Sequence, residues 1–352
     1  MRFPRPDKDE IISLLSITDP QELKELYARA YAVKTQYIGR KVWFRGIIEL
    51  SNICSKDCFY CGIRSGNPSV SRYTISPQEV VEEARWCYEQ GYGSIVLQAG
   101  ERSDSTWTEL ISKLLRQIKE VSDGKLGITL SLGEQSKDIY RQWFDAGAHR
   151  YLLRVETTNA HLYKELHPPD HSFEDRVKCL GYLREVGYQV GTGVMIGLPN
   201  QSLADLADDL LFFYDIDIDM IGMGPFIPHK DTPLGHLVPS HNPEEAIELG
   251  LKMIAASRIF LKDVNIASTT ALQALREDGR ELGLLAGANI IMPNVTDTSY
   301  RRGYQLYEGK PHLDENASDS RDSLQQNIEA IGETIAYNEW GDSAHFWART
   351  NK

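Results

Sequence analysis

Short apolar, β-branched runs alternate with amphipathic helical stretches along most of this chain, and this alternation constrains the fold more than any other feature. The runs lie at 42–51, 94–98, 127–132, 150–155, 189–196, 219–224, 264–268 and 287–292. Helix-like stretches separate most of them, for example 76–91, 105–121, 136–146, 173–187, 201–214 and 243–260. Eight strands that alternate with helices over about 250 residues predict an α/β protein with a complete (β/α)8 TIM-type barrel. A doubly wound open sheet is the alternative.

Two further regions flank the alternating part. Residues 8–39 are predicted to form two helices, the second of which begins at Pro20 behind Asp19 as its N-cap. Near the other end, 308–323 is predicted to be a polar loop, and a last helix is expected at about 322–338. These predictions divide the chain into an N-terminal helical extension at 1–40, a barrel at 41–300 and a C-terminal closing segment at 301–352.

Charge and apolar content exclude several classes of protein. The 352 residues include 38 Lys and Arg against 50 Asp and Glu, which is a formal net charge of −12. Such an acidic chain is a poor candidate for binding nucleic acid or an anionic membrane. No apolar run approaches the roughly 20 residues that span a bilayer, and the N-terminus lacks the apolar stretch of a secretory signal. We therefore expect a cytoplasmic protein.

Three of the five cysteines lie within eight residues, directly after the first predicted strand, in Cys54-Ser-Lys-Asp-Cys58-Phe-Tyr-Cys61. Thiolates bind zinc or iron–sulfur clusters, and the loops after barrel strands carry active sites. One loop can bring three sulfurs to three corners of a four-iron cubane, which leaves one iron free for a small ligand. Structural zinc is the alternative, although it usually requires a second C-x2-C or an H-x3-H pair. Cys87 and Cys179 lie in helix-like stretches and are expected to be buried.

Charge in the fourth predicted strand indicates a ligand site. In RYLLRVET, Arg154 and Glu156 are two residues apart and share one face of the strand, while Leu153 and Val155 take the other. Both faces of a barrel strand are costly places for a charge unless it is paired or contacts a ligand. The pair is therefore either a polar clamp for a ligand or a structural Arg–Glu pair.

The C-x3-C-x2-C spacing, with an aromatic residue before the last cysteine, resembles that of the radical S-adenosylmethionine (SAM) superfamily. In that superfamily the free iron of a [4Fe–4S] cluster chelates SAM, and reductive cleavage of SAM yields a 5′-deoxyadenosyl radical. The resemblance implies that Cys54, Cys58 and Cys61 act as catalytic metal ligands of one such cluster. It also implies that Tyr60 packs near the adenine.

Two later strand ends extend this resemblance. Gly100 and Glu101 match the edge whose backbone meets the methionyl amino group, although Ala99 departs from the strict Gly-Gly-Glu form. The stretch 191–197, which contains Met195, resembles the adenine-binding strand. Without the resemblance, a Gly-Glu after a strand is a turn, and strand glycines mark tight packing or a bulge.

Within the superfamily, the stretch from about 43 to 307 resembles the HydE-type maturases of FeFe hydrogenases. Matching segments include IIELSNICSKDCFYCGIR, GANIIMPNVT and the especially specific GPFIPHKDTPL. The resemblance implies that the adenosyl radical acts on an organometallic substrate, an iron carbonyl/cyanide complex of cysteine. A tyrosine-cleaving maturase would make this complex, a scaffold GTPase maturase would receive the product, and ferredoxin or flavodoxin would donate electrons.

The resemblance also implies a set of residues that line SAM and the cavity: Thr129, Ser131, Arg154, Glu156, Arg176, Thr269, Thr270, Tyr304 and Tyr307. From the residues alone, Thr269 and Thr270 are possible helix caps, Tyr304 and Tyr307 are possible core aromatics, and Arg176 is a solvated helix residue.

Many family members bind a second cluster through cysteines near the C-terminus. Here no cysteine follows Cys179, so we predict one cluster and a solvated His312. Two other functions are the alternatives. One is a radical SAM mutase or sulfur-insertion enzyme like methylornithine synthase or biotin synthase. The other is a non-enzymatic carrier, which would normally ligate its cluster with four cysteines.

Overall fold

Eight parallel strands close into a barrel in this computed structural model, which describes residues 3–237 and 242–351. With three strands outside the ring (β6, β8 and β11), the strands of the described residues are β1 (Lys41–Ser51), β2 (Ser94–Ala99), β3 (Gly127–Ser131), β4 (Arg150–Leu152), β5 (Gln189–Thr192), β6 (Met195–Ile196), β7 (Met220–Ile221), β8 (Gly224–Pro225), β9 (Asn265–Ser268), β10 (Ile290–Ile291) and β11 (Thr334–Ile335). The ring runs β1-β2-β3-β4-β5-β7-β9-β10, and β10 pairs with β1 to close it. The predicted (β/α)8 barrel is confirmed, and the open sheet is wrong.

Helices surround the barrel. They are α1 (Lys8–Ser16), α2 (Pro20–Tyr37), α3 (Pro77–Glu89), α4 (Ser105–Val121), α5 (Lys137–Asp145), α6 (Ala160–Leu166), α7 (Phe173–Val186), α8 (Leu203–Asp215), α9 (Pro233–Leu237), α10 (Pro243–Leu261), α11 (Thr270–Leu275), α12 (Gly279–Leu285), α13 (Thr298–Arg301), α14 (Ala317–Ala330) and α15 (Ala344–Thr350). Helix α2 begins as predicted, because the Asp19 side chain accepts hydrogen bonds from the backbone N–H groups of Gln21 and Glu22.

Both faces of the barrel strands are buried, which explains their continuous apolar runs. A small internal cavity is lined by residues that include Arg45, Val96, Thr129, Leu152 and Asn265. Because side chains alternate along a strand, the residues next to these face the helices. They include Ile95, Ile128, Tyr151 and Ile266, all fully buried.

The fifth and sixth strand regions are each interrupted where the sequence predicted one continuous strand. β5 ends at Thr192 and β6 begins at Met195, and β7 and β8 are separated in the same way. A Cβ on Gly193 would lie 2.0 Å from the carbonyl oxygen of Gly222. The two backbones approach too closely there for any side chain, and β6 and β8 continue beyond this contact as a separate parallel pair.

The C-terminal region departs from the prediction. Helix α14 begins at Ala317, inside the predicted loop 308–323, and it ends before the predicted helix 322–338 would. One apolar face of α14 buries Leu324 and Ile328. Packing of this face stabilises the whole helix, including its polar first turns. The sequence predicts a loop there because those first turns lack large apolar residues.

The loop before α14 is held against the barrel. Arg301 Nη1 donates hydrogen bonds of 2.7 Å to the carbonyl oxygens of His312 and Glu315. The His312 ring contacts the Glu315 carboxylate, and only a quarter of its side chain is exposed. The expectation of a solvated His312 is therefore wrong.

The chain after β11 covers the N-terminal end of the barrel. The Gly341 carbonyl oxygen accepts hydrogen bonds from Arg45 Nη2 at 3.0 Å and from Asn265 Nδ2 at 2.8 Å. Asp342 Oδ1 accepts from Arg150 Nη1 at 2.6 Å. This end is closed by buried polar contacts, and the opposite end, where the strands finish, carries the cysteine loop.

Candidate active site

The loop after β1 carries Cys54, Cys58 and Cys61, which are free thiols and partly buried. Burial raises the pKa of the Cys58 thiol to about 12. Burial also raises the pKa of Cys61, and the nearby sulfurs of Cys58 and Cys54 raise it further. The three sulfurs are thus close enough to interact. A cationic group bound among them would reverse this effect, because the thiolate is the form that ligates metal.

The sulfur of Cys54 already accepts hydrogen bonds from the protein backbone. The N–H groups of Lys56 and Glu101 lie 3.4 Å and 3.3 Å from Cys54 Sγ. Amide donors of this kind stabilise a thiolate and tune the reduction potential of a cluster that is bound through the sulfur. The donor set therefore fits an iron–sulfur cluster. Within 3–237 and 242–351, no three His, Cys, Asp or Glu side chains are grouped as ligands of a single metal ion.

Gly100 is required by the cysteine loop itself. A Cβ on Gly100 would lie 2.4 Å from the carbonyl oxygen of Ile53 and 2.8 Å from Cys54 Cβ. The Glu101 carbonyl oxygen accepts from the backbone N–H of Ser55 at 2.8 Å. The end of β2 therefore supports the cysteine loop through its backbone, while a contact with SAM stays a prediction.

A partly buried network of four charges lies beside this loop. Lys56 Nζ is 2.9 Å from Glu134 Oε2 and 3.4 Å from Glu101 Oε1. Arg176 Nε forms an ion pair with the other oxygen of Glu134. Burial raises the pKa of Glu101. For Glu134, burial opposes ionisation, but Arg176 and Lys56 outweigh it and lower the pKa.

Sequence reasoning missed Lys56 and Glu134. Glu134 follows β3 as Glu101 follows β2. A charged residue shortly after a barrel strand is therefore the sequence signal that identifies Glu134. Lys56 lies between two cysteines, and nothing in the spacing of the motif distinguishes it from the other residues between them. Arg176, which alone suggested a solvated helix residue, is 8% exposed.

Arg154 and Glu156 lie beyond β4, which ends at Leu152 rather than continuing to residue 155. Their side chains nevertheless meet, with Arg154 Nη2 2.9 Å from Glu156 Oε2. Glu156 adopts a left-handed backbone with φ of 66°. Arg154 Nε and Glu156 Oε2 are both buried, and neither makes a hydrogen bond of good geometry within the described residues. The ion pair is formed, yet these two atoms could still form hydrogen bonds with a ligand.

Tyr60 and Met195 belong to one apolar cluster at the mouth, together with Leu166, Leu198, Phe226 and Leu234. The Tyr60 ring also lies edge-on to His167, with 5.6 Å between ring centroids. Two residues predicted to contact adenine are thus brought together, one from the cysteine loop and one from β6.

The C-terminal tyrosines also reach this end of the barrel. Burial raises the pKa of Tyr307, and the side chain of Thr270, the first residue of α11, lies near enough to oppose that rise. Tyr304 is fully buried near Gln98 of β2, and burial raises its pKa. Thr269 occupies the N-cap position of α11, but its hydroxyl donates to the Met223 carbonyl oxygen at 3.3 Å and caps no helix N–H.

Thr129 and Ser131 are separated from each other along β3. Thr129 lines the internal cavity, and its hydroxyl accepts from Arg150 Nε at 3.0 Å. It therefore joins the polar network at the closed end of the barrel. Ser131 ends β3 opposite Gln98, nearer the cysteine loop.

Residues 48–213 match the family profile of the radical SAM superfamily. The [FeFe] hydrogenase maturase subunit HydE of Thermotoga maritima is 44% identical over 327 residues, which cover 93% of this chain and 91% of that protein. The chain belongs to the HydE family of radical SAM [FeFe]-hydrogenase maturases. The resemblance predicted from the cysteine loop and the later segments is confirmed, and HydE-family membership implies a [4Fe–4S] cluster, SAM and partners in hydrogenase maturation.

More distant relatives share the barrel. The 3-methylornithine synthase of Methanosarcina acetivorans is 27% identical over 326 residues, covering 92% of this chain and 89% of that protein. The crystal structure of methylornithine synthase (PylB) has a TM-score of 0.81, 24% identity and 95% coverage of both chains. HydG from Carboxydothermus hydrogenoformans has a TM-score of 0.79 and 21% identity, covering 95% of this chain and 76% of that chain. At these identities, the two structures show only that this chain shares their fold.

Every helix in the described part of the chain is too short or too polar to span a bilayer.

Proposed function

We propose that Cys54, Cys58 and Cys61 hold a single [4Fe–4S] cluster, and that the protein cleaves SAM to act on an iron carbonyl/cyanide complex of cysteine during H-cluster assembly. One observation supports this most directly: the Cys54 sulfur accepts hydrogen bonds from two backbone N–H groups, on a loop that carries two further free thiols. When bound, the cluster supplies the electron that breaks a C–S bond of SAM.

The residues around the loop have distinct proposed roles in binding SAM. Arg154 Nε, which makes no hydrogen bond within the described residues, and the Glu156 carboxylate, which is ion-paired with Arg154 Nη2, are proposed to meet the methionyl and ribose groups of SAM. Arg176 adds a planar cation that suits the SAM carboxylate. Tyr60 and Met195 provide an apolar wall for the adenine.

Further residues are proposed to exclude water and contact the substrate. They include Tyr304 and Tyr307 of the C-terminal segment and Thr270, which begins α11 near Tyr307. A closed mouth protects a reactive radical from side reactions with solvent. Gly100, Glu101, Ser131 and Thr269 are proposed to complete the lining at strand ends, and Thr129 to line the interior below them.

The proposed partners follow from family membership. A tyrosine-cleaving maturase supplies the organometallic complex, a scaffold GTPase maturase receives the product, and ferredoxin or flavodoxin donates the electron. One cluster is proposed because no cysteine follows Cys179 to bind a second.

The test uses protein reconstituted anaerobically with iron and sulfide, then mixed with a reductant, SAM and a synthetic iron–cysteine complex. We expect iron for one cluster per chain, formation of 5′-deoxyadenosine and consumption of the complex. Changing Cys54, Cys58 or Cys61 to Ala abolishes all three, whereas C179A, outside the loop, retains them. Conversion of an amino acid such as lysine with the complex untouched would instead favour a methylornithine synthase-like mutase.

A further inference from the structure

Gly62, the residue after the third cysteine, is enclosed on several sides by distant parts of the chain. Its backbone N–H donates to the Leu306 carbonyl oxygen at 3.0 Å, and its own carbonyl oxygen accepts from Asn67 Nδ2 at 2.7 Å. A Cβ on Gly62 would lie 2.1 Å from the Gln305 carbonyl oxygen and 2.7 Å from His229 Nε2. Only glycine permits this packing.

His229 forms one wall of this enclosure, and its ring is held in a defined orientation. The residue is 7% exposed, and Nδ1 accepts a hydrogen bond of 3.1 Å from the backbone N–H of Asp231. Its carbonyl oxygen accepts from the Thr232 hydroxyl at 2.7 Å. Because Nδ1 is an acceptor, the neutral ring carries its proton on Nε2, the atom that faces Gly62. No residue in 3–237 or 242–351 accepts a hydrogen bond from Nε2.

The segment that carries His229 contacts the cysteine loop at a second point. Leu234 N donates to the Phe59 carbonyl oxygen at 3.0 Å. Between these two contacts lies Cys61, whose N–H donates to the Cys58 carbonyl oxygen at 3.2 Å. The loop between β8 and α9, together with the start of α9, therefore contacts the cysteine loop on both sides of its last ligand.

We propose that His229 is a positioning residue for the third cysteine, an inference that rests on the proposed cluster. Its ring packs against Gly62 and restricts the backbone that follows Cys61, so that the Cys61 sulfur keeps a constant direction relative to Cys54 and Cys58. The proton on Nε2 also places an N–H group next to the residue after a thiolate ligand, where it stabilises the reduced, more negative cluster.

The test compares the wild-type holoenzyme with H229A, H229N and G62A. In H229N the Asn oxygen can still accept from Asp231 N–H, so the local turn is retained while the ring contact is lost. The controls are H161A, since His161 is exposed on α6, and G181A, since a Cβ on Gly181 meets nothing within 4 Å. The measurements are iron content after reconstitution, the EPR spectrum, the midpoint potential of the cluster and the thermal unfolding of the cluster-free protein.

We expect roughly 10-fold weaker cluster retention in H229A, H229N and G62A, as is typical when a residue that orients a metal ligand is changed. The two His229 variants also shift the midpoint potential to more negative values and alter the EPR line shape, while the controls match wild type. If H229A proves unstable without the cluster, H229N decides. Wild-type iron content, spectrum and potential in H229N would overturn the inference. Failure of the wild-type protein to bind a cluster would instead overturn the proposed function.

Discussion

Arg176 Nη1 donates a hydrogen bond of 2.8 Å to the carbonyl oxygen of Arg154 and thereby joins helix α7 to the segment that follows β4. Its Nε is occupied by Glu134. One guanidinium thus connects the ends of β3 and β4, and the geometry around Glu156 depends on a side chain from a different element.

This relationship predicts that Glu134 controls SAM affinity without being a SAM ligand. In E134Q, Arg176 and Lys56 lose the carboxylate that orients them, and a buried cation left poorly paired is costly. We expect the Kd for SAM to rise by roughly 10-fold, which corresponds to about 1.4 kcal/mol. Isothermal titration of SAM into reconstituted protein measures it.

The matched control for this variant is E185Q, because Glu185 pairs with Lys137 at an exposed position on α7. Such a surface pair contributes little, so its loss should leave the Kd unchanged. Equal affinities in E134Q and wild type would show that Glu134 does not orient the site.

Asp209 predicts a pH dependence of stability. Its side chain is fully buried on α8, where Oδ1 accepts from the Thr158 N–H at 2.7 Å. Burial raises its pKa to about 7. Between the unfolded pKa near 4 and 7, the folded protein binds a proton that the unfolded chain has released. The free energy of unfolding therefore falls as pH rises across this window.

We expect wild type to lose about 2–4 kcal/mol from this group between pH 4 and pH 8. D209N keeps an acceptor for Thr158 but does not titrate, so its urea midpoint should change less over the same range. D208N is the control, because Asp208 is exposed and pairs with Lys8. The same pH dependence in D209N and wild type would contradict the assignment.

His345 predicts a second window of the same sign, at higher pH and at the closed end of the barrel. It contacts Asp217 and Asp263, each at 3.0 Å. Burial lowers the pKa of His345, but these two carboxylates outweigh burial and raise it to about 9. The resulting stabilisation is fully present below the unfolded pKa near 6.5 and is lost as pH rises through about 9.

Because His345 lies at the start of α15, we expect amide exchange in α15 to accelerate between pH 7 and pH 10 beyond the intrinsic effect of base. H345Q retains hydrogen bonding without the charge, so α15 should already exchange faster at pH 7 and show a weaker pH response. Identical protection of α15 in both proteins at pH 7 would refute this role. Hydrogen exchange read by mass spectrometry resolves the segment.

Several features were predictable from the sequence because they depend on local order along the chain. The alternation of apolar runs and amphipathic stretches predicted the barrel, since each strand and helix buries its own periodic face. The spacing of Cys54, Cys58 and Cys61 is likewise local, and the loop that carries them must follow β1. Even so, local order misplaced α14, whose first turns are polar and gain their helical state from packing at Leu324 and Ile328.

Tertiary structure alone decided which distant residues meet the cysteine loop. Glu134 reaches Lys56 across 78 residues of sequence, and His229 reaches Gly62 from the loop between β8 and α9. No periodicity in the chain encodes such contacts, because they arise when a closed ring of strands brings the ends of its loops to one mouth. The sequence determined the ring and its ligands, and closure of the ring determined the surroundings that orient them.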